Sequence, residues 1–317
     1  MLMGINRRHF LATPGLASVA LAELGCANWE QGDHVLATTT LVGDLARHLL
    51  PPEVPVILLM GPGIDPHTYE PTARTVAHIR QARLIVGHGL HLEGRLTQLL
   101  EATHEQAIRR VFLVTRYLET AQPDRLRQSD GQWDPHIWFD AELWSDTIPP
   151  LAMTLAEVYP RHIGHIEENK NLLRSEFKKL HREMLERVKA IPPARRILIT
   201  SHDAFGYLGQ AYGLEVHAIQ GISTAGEVSE SSLRELANLA VEREVSVGFL
   251  ESTVSPRTLE KLRALIRARS GKTAETSFRL GGELFSDSLG GAGSGAETYL
   301  SMMRHNLEVI SGALSNG

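Results

Sequence analysis

Cysteine is nearly absent: Cys26 is the single one in 317 residues, so no disulfide can close within the chain and no thiolate cluster can hold a metal. Any metal site must therefore be built from histidine and carboxylate. Excess positive charge is lacking too, since the formal net charge is −5, which removes the general basic field that nucleic acid would need. No apolar run reaches the roughly 18 residues that a membrane span requires, so the mature chain is expected to be soluble or merely tethered. Low-complexity tracts and internal sequence repeats are also missing. What is present, 43% hydrophobic and 22% charged residues, is ordinary for a globular protein, and the length suggests about two domains.

The N-terminus reads as an export signal over residues 1–26. Arg7-Arg8 precedes a modestly apolar run from Phe10 to Leu24, interrupted by Pro14 and Gly15, in the manner of a twin-arginine signal. Two processing sites compete. Ala20-Leu21-Ala22 suits ordinary cleavage, whereas Leu24-Gly25-Cys26 resembles the end of a bacterial lipobox and would leave Cys26 lipidated, with Glu23 standing where that motif wants an aliphatic residue. Membrane attachment is expected only through that lipid.

The rest divides around one long helical period. Between Pro160 and Ile191 apolar residues recur at Ile163, Ile166, Leu173, Phe177, Leu180, Met184, Val188 and Ile191, which keeps one helix face apolar. Pro192-Pro193 stops it. A helix of this length spans roughly 45 Å, enough to join two lobes. On the N-terminal side, 33–159, strand-like runs at 34–40, 54–60, 84–87 and 111–114 alternate with helical segments at 42–50, 72–81 and 92–102. A polar loop follows, then a helix to Val158. On the C-terminal side, 194–317, strands are expected at 196–200, 214–219 and 245–250, with helices between them, from Ser255-Pro256 onward, and from Glu297 to about Leu314. The apolar run 54–60 suits a strand buried on both faces. The alternation implies crossover units and parallel sheets, hence two α/β lobes joined by one rigid helix.

Asp-Pro-His occurs twice, at 65–67 and 134–136, each time with proline stiffening the backbone before the imidazole. His202 lies just past a strand, where open α/β sheets gather ligands. Asp287 is a loop carboxylate between Gly281-Gly282 and the 290–295 stretch. His67, His136, His202 and Asp287 would supply three nitrogens and one oxygen, two donors from each side of the long helix. That set suits tetrahedral Zn(II), while Mn(II) or Fe(II) usually takes more oxygen. His88 and His91 fit a polar loop without a direct role, and His162, His165 and His181 fit the solvated face of the long helix. Glu251, right after a strand, is placed to orient a ligand histidine rather than to bind. The basic 257–269 helix fits a solvated face.

GPGIDPHTYEPT around His67, DPHIWFD around His136, SHDAFGYL around His202, GISTAGEVSESSL, and GELFSDSLGGAGSGAETYLSMMRHNL occur in an order that resembles the zinc and manganese solute-binding proteins of bacterial ABC importers. The resemblance runs from about His34 to Leu314. It implies two small lobes on one long helix, an ion held between them by His67, His136, His202 and Asp287, delivery to a membrane permease, a monomeric carrier outside the cytoplasm, and no enzymatic turnover. Histidine at the third ligand position, here His202, is common in zinc binders, and glutamate there in manganese binders. The 118–133 loop holds no histidine, although many zinc members carry a His-rich loop, and some members with this donor set accept manganese, so Mn(II) stays open beside Zn(II). Two other classes are less well supported. A zinc hydrolase would use Glu70 or Glu251 as base, but no His-Glu-x-x-His helix exists and four protein ligands leave no place for water. No motif supports a surface adhesin.

Overall fold

The structure, a computed structural model, describes residues 32–105, 110–129, 131–270 and 278–315; Arg7, Arg8, both cleavage sites and Cys26 lie outside them. The first half contains β1 (Val35–Ala37), α1 (Thr40–Leu49), β2 (Val56–Leu58), α2 (Ala73–Gln81), β3 (Leu84–Gly87), α3 (Arg95–Glu105) and β4 (Arg110–Leu113). Its four strands form a parallel sheet in the order β2-β1-β3-β4. The strand expected over 34–40 ends at Ala37, because the Thr39 hydroxyl caps α1 by accepting the Val42 N–H. The run at 54–60 shortens to β2, and its three residues are only half-buried. An edge position accounts for this, since among the described residues one flank has no neighbouring strand to cover it.

After β4 come α4 (Arg116–Ala121), a two-residue antiparallel hairpin of β5 (Gln128–Ser129) and β6 (Gln132–Trp133), and two helices, α5 (Ala141–Ser145) and α6 (Ile148–Val158). A single helix was the expectation for that last stretch. Pro149 and Pro150 enforce the break: they fit a first helical turn, which needs no N–H donors, but would clash with a preceding turn.

The long helix α7 (Ile163–Lys189) has 27 residues, with Pro160–His162 forming a short 3-10 turn ahead of it, so Pro160 sits outside the α-helix. Ile166, Leu173, Phe177, Leu180, Met184 and Val188 are buried as their spacing predicts. They belong to the largest apolar cluster, which also takes Val35 and Val86 from the first half and Leu198, Phe249, Met303 and Ile310 from the second. Phe177 stacks on Tyr299 with ring centroids 4.7 Å apart. The helix is thus a spine inside a shared core. His181 departs from the solvated face expected for it: it is half-buried, with Nδ1 3.3 Å from the Tyr212 hydroxyl.

The second half contains β7 (Ile197–His202), α8 (Gly206–Tyr212), β8 (Glu215–Gln220), α9 (Glu230–Glu242), β9 (Val247–Glu251), α10 (Arg257–Ser270), β10 (Arg279–Leu284) and α11 (Tyr299–Ser315). β7 pairs with β8 and β9 with β10, all parallel, and β7 lies beside β9. Side chains alternate along the strands of both halves. Leu36 and Ile85 turn away from the shared core into a cluster of the first half, and Ile197 and Ile199 into one of the second. Gly281-Gly282, expected to bound a loop, lies within β10, where the register slips between Leu280 and Glu283. A Cβ on Gly281 would come 2.9 Å from Phe249, and one on Gly282 2.8 Å from Val309, so close packing demands glycine at both.

Candidate metal centre

Both Asp-Pro-His segments are built alike. Asp65 Oδ1 accepts the backbone N–H of His67 at 2.9 Å, and Asp134 Oδ1 accepts that of His136 at 3.0 Å. A carboxylate that closes on the backbone two residues ahead, with proline between, fixes the turn that presents each imidazole. Asp134 also faces His136 Nδ1 at 2.8 Å, which leaves Nε2 free to point inward. Arg127 holds the other oxygen of Asp134 at 3.3 Å and donates to the Gly206 carbonyl of the second half at 2.8 Å.

His202 is the last residue of β7, two positions later than the sequence pattern ended that strand. Its Nδ1 lies 2.5 Å from Glu251 Oε2, and Glu251 Oε1 accepts the backbone N–H groups of Ser201 and His202 at 2.7 and 3.0 Å. Asp287 follows β10, with the Thr253 hydroxyl donating to Oδ2 at 3.2 Å. The Trp138 indole N–H crosses from the first half to the Ser286 carbonyl at 3.0 Å and so ties the His136 loop to the Asp287 loop. A second tie runs from the Thr224 hydroxyl to Asp65 Oδ2 at 2.6 Å.

The four predicted residues converge. His67 Nε2 is 3.3 Å from His136 Nε2, His136 Nε2 is 3.4 Å from Asp287 Oδ1, and His202 Nε2 is 3.3 Å from Asp287 Oδ2. All four donor atoms lie within 4.8 Å of one another, and all four residues are buried. Atoms bound at about 2.1 Å around a tetrahedral centre sit roughly 3.4 Å apart, so these separations have the scale of a four-coordinate site.

Burial pushes the His67 imidazole down to about 3. Burial opposes charge on His136 as well, but Asp134 and Asp287 outweigh it and lift this imidazole to about 9. His202 is held well above its ordinary value, because Glu251 and Asp287 overcome the same burial. Asp287, despite complete burial, is held well below the usual carboxylate range by His202 and His136. In the metal-free centre the neighbouring carboxylates Asp134, Glu251 and Asp287 thus favour proton binding at His136 and His202. A divalent cation would replace those protons.

His88 has a role that the sequence pattern did not reveal. It is not among the converging donors, yet it is fully buried, donates through Nε2 to the Pro135 carbonyl at 2.7 Å, and stacks on Trp144. It braces the His136 turn from behind, and its position at the end of β3 is the one signal that could have marked it. Glu70, considered as a hydrolytic base, instead pairs with Arg95 on the surface. Glu251 is where the sequence suggested, behind His202. Glu251→Gln keeps the shape but removes the charge that sets the His202 ring, so metal affinity is expected to fall roughly 10–100-fold. Competition against a chelating dye measures it, and an unchanged affinity would leave Glu251 only its backbone contacts.

Comparison with known proteins agrees with this architecture. The sequence family described as zinc-uptake complex component A, periplasmic (ZnuA), matches residues 35–313. The zinc-binding protein TroA of Treponema pallidum is 34% identical over 281 residues, covering 89% of this chain and 88% of that protein. Its structure superposes with a TM-score of 0.84 over 90% of this chain and 100% of its own. The manganese-binding lipoprotein MntA of Bacillus subtilis is 29% identical over 317 residues, covering 97% and 99% of the two chains. The iron-binding protein YfeA of Yersinia pestis is 26% identical over 295 residues, covering 93% and 90%. A match of this extent, on an α/β fold with parallel sheets and one long helix, shows that the chain belongs to the ZnuA family of periplasmic metal-binding proteins, the substrate-binding components of ABC importers rather than enzymes.

Proposed function

We propose that this protein captures Zn(II) outside the cytoplasm and delivers it to the membrane permease of an ABC importer, with His67, His136, His202 and Asp287 as the four ligands. The observation that carries this reading is the convergence of three imidazole nitrogens and one carboxylate oxygen, all buried and within 4.8 Å of one another. The nitrogen-rich, four-donor set favours Zn(II), while Mn(II) and Fe(II) prefer more oxygen and higher coordination. Relatives named for zinc, manganese and iron stand at comparable distance, so the donor set rather than kinship supports the choice. Mn(II), or Fe(II), is the alternative cargo.

The same proposal divides the chain into an export signal over 1–26, a first lobe over 33–159, a linking helix over 160–191 and a second lobe over 194–317, acting as a monomer. No helix among the described residues is long and apolar enough to cross a membrane, which suits a carrier attached, if at all, by a lipid on Cys26.

Calorimetric titration of the metal-stripped mature protein tests the proposal. One ion per chain is expected, with Zn(II) tighter than Mn(II). Absence of binding would sink the capture function, and tighter Mn(II) would overturn the zinc assignment. In His202→Glu the added oxygen is expected to move the affinity ratio toward Mn(II); an unmoved ratio would assign selectivity to the cavity rather than to this ligand.

A further inference from the structure

The four converging side chains are not equally enclosed. His136, His202 and Asp287 are at most 1% exposed, whereas His67 is 7% exposed. His67 also borders a cavity of about 420 Å³, whose walls include His91, Gln132 and Trp133 from the first half and Ile222 and Ser223 from the second. A larger groove of about 660 Å³, lined by Arg127, Asp203 and Gln220, touches none of the four.

A second histidine thus faces the same space as His67. The His91 side chain is exposed and makes no hydrogen bond or ion pair with the described residues. Its backbone is unusual: Leu90 and His91 have φ of 50° and 59°, two of the three non-glycine residues with positive φ among the described residues, between Gly89 at 99° and Gly94 at 49°. Left-handed backbone at such residues is strained and persists only where the surroundings enforce it.

Here the surroundings do enforce it. The buried Glu93 carboxylate accepts the His88 and Gly89 N–H groups at 2.5 and 3.2 Å and the Thr38 hydroxyl at 2.8 Å, which gathers the turn around one side chain. Gly94 then packs so tightly on the His67 backbone that a Cβ would come 2.5 Å from the His67 carbonyl oxygen. The turn that carries His91 is therefore fastened to the ligand that borders the cavity. Glycine would hold this backbone with less strain than histidine.

Resting on the reading of the centre as a divalent-metal site, we infer that the ion passes through this cavity and that His91 is a relay ligand, binding the ion in transit before His67 takes it over. A hydrated cation must exchange its waters for protein donors, and an unpartnered imidazole at the mouth supplies the first nitrogen without belonging to the final set. In ligand exchange of this kind no electron changes hands: a water leaves the ion as His91 binds, and His91 leaves as His67 binds. Because a relay ligand stabilises the path and not the end state, it changes loading and unloading rates together and leaves equilibrium affinity alone.

Stopped-flow tryptophan fluorescence of the metal-free protein mixed with Zn(II), and of the loaded protein mixed with excess chelator, tests this in His91→Asn and His91→Gly. Both substitutions tolerate the left-handed backbone, so a merely structural role would leave rates at the wild-type level. Loading and release are both expected to slow several-fold in both variants, with the titrated affinity unchanged. Wild-type rates in the variants, or a lost affinity in either, would overturn the relay. A wild-type protein that binds no Zn(II) would instead sink the metal-capture reading itself, so the two failures are distinguishable.

Discussion

Asp287→Ala is expected to lower metal affinity by a factor of roughly 10² to 10⁴, corresponding to the ~3–5 kcal/mol lost when one partner of a buried charge pair is removed. Asp287 is the one anion among the four converging residues, it is 1% exposed, and it lies 3.4 Å from His136 and 3.3 Å from His202. Removing it deletes an oxygen donor and also leaves two imidazoles that it had helped to keep charged. Thermal unfolding with and without Zn(II) gives the readout. Wild type is expected to gain about 2.7 kcal/mol of stability at a free metal concentration one hundred times its dissociation constant, and the variant almost none under the same conditions. Asp287→Asn, which keeps the shape and one oxygen, is expected to fall between them. A full metal-induced shift in Asp287→Ala would remove this carboxylate from the ligand set.

The second large effect is the pH dependence of capture. An ordinary histidine value near 6.5 would predict that affinity is complete above neutrality and fails only in acid. The electrostatics of the centre move that window upward. His136 is raised to about 9 and His202 well above its ordinary value, whereas His67 is already neutral. Between pH 6.5 and about 9 the metal-free protein therefore holds protons that the complex cannot, and apparent affinity is expected to rise with pH by up to about tenfold per unit for each proton displaced.

Stability of the metal-free protein runs the other way. The His136 contribution is fully present below pH 6.5 and is lost as pH rises through about 9. The depressed Asp287 contributes above its ordinary value and loses that contribution only in strong acid. Calorimetry in buffers of different ionisation enthalpy counts the displaced protons directly: one to two per ion are expected at pH 7.5. Zero would mean that the imidazoles are neutral before metal arrives.

Much of this architecture was legible because it rests on local pattern. The 3.6-residue period placed α7 to within three residues at each end, the strand and helix alternation gave the parallel sheets, and two Asp-Pro-His turns with a histidine at a strand end picked out side chains that converge. What stayed hidden depends on neighbours distant in sequence. Nothing in the composition of β2 says that it lies at the sheet edge, because an apolar run looks the same there and in the middle. Gly281-Gly282 has the composition of a loop boundary, and only the packing of Phe249 and Val309 against it makes it part of a strand. His88 and Trp138 act on the centre through backbone carbonyls at Pro135 and Ser286, and contacts to backbone leave no trace in the partner's residue type.

The apolar stripe of α7 has a consequence for how such carriers diversify. Because Phe177, Leu180 and Met184 share one continuous cluster with Val86 on one side and Phe249 and Met303 on the other, the two halves are not interchangeable cassettes. A lobe borrowed from a relative with a different cargo would arrive with the wrong surface for this interior. Exchanging one half for a relative's is therefore expected to cost stability through mismatched packing along this stripe, whereas point substitutions that leave the stripe intact spare it.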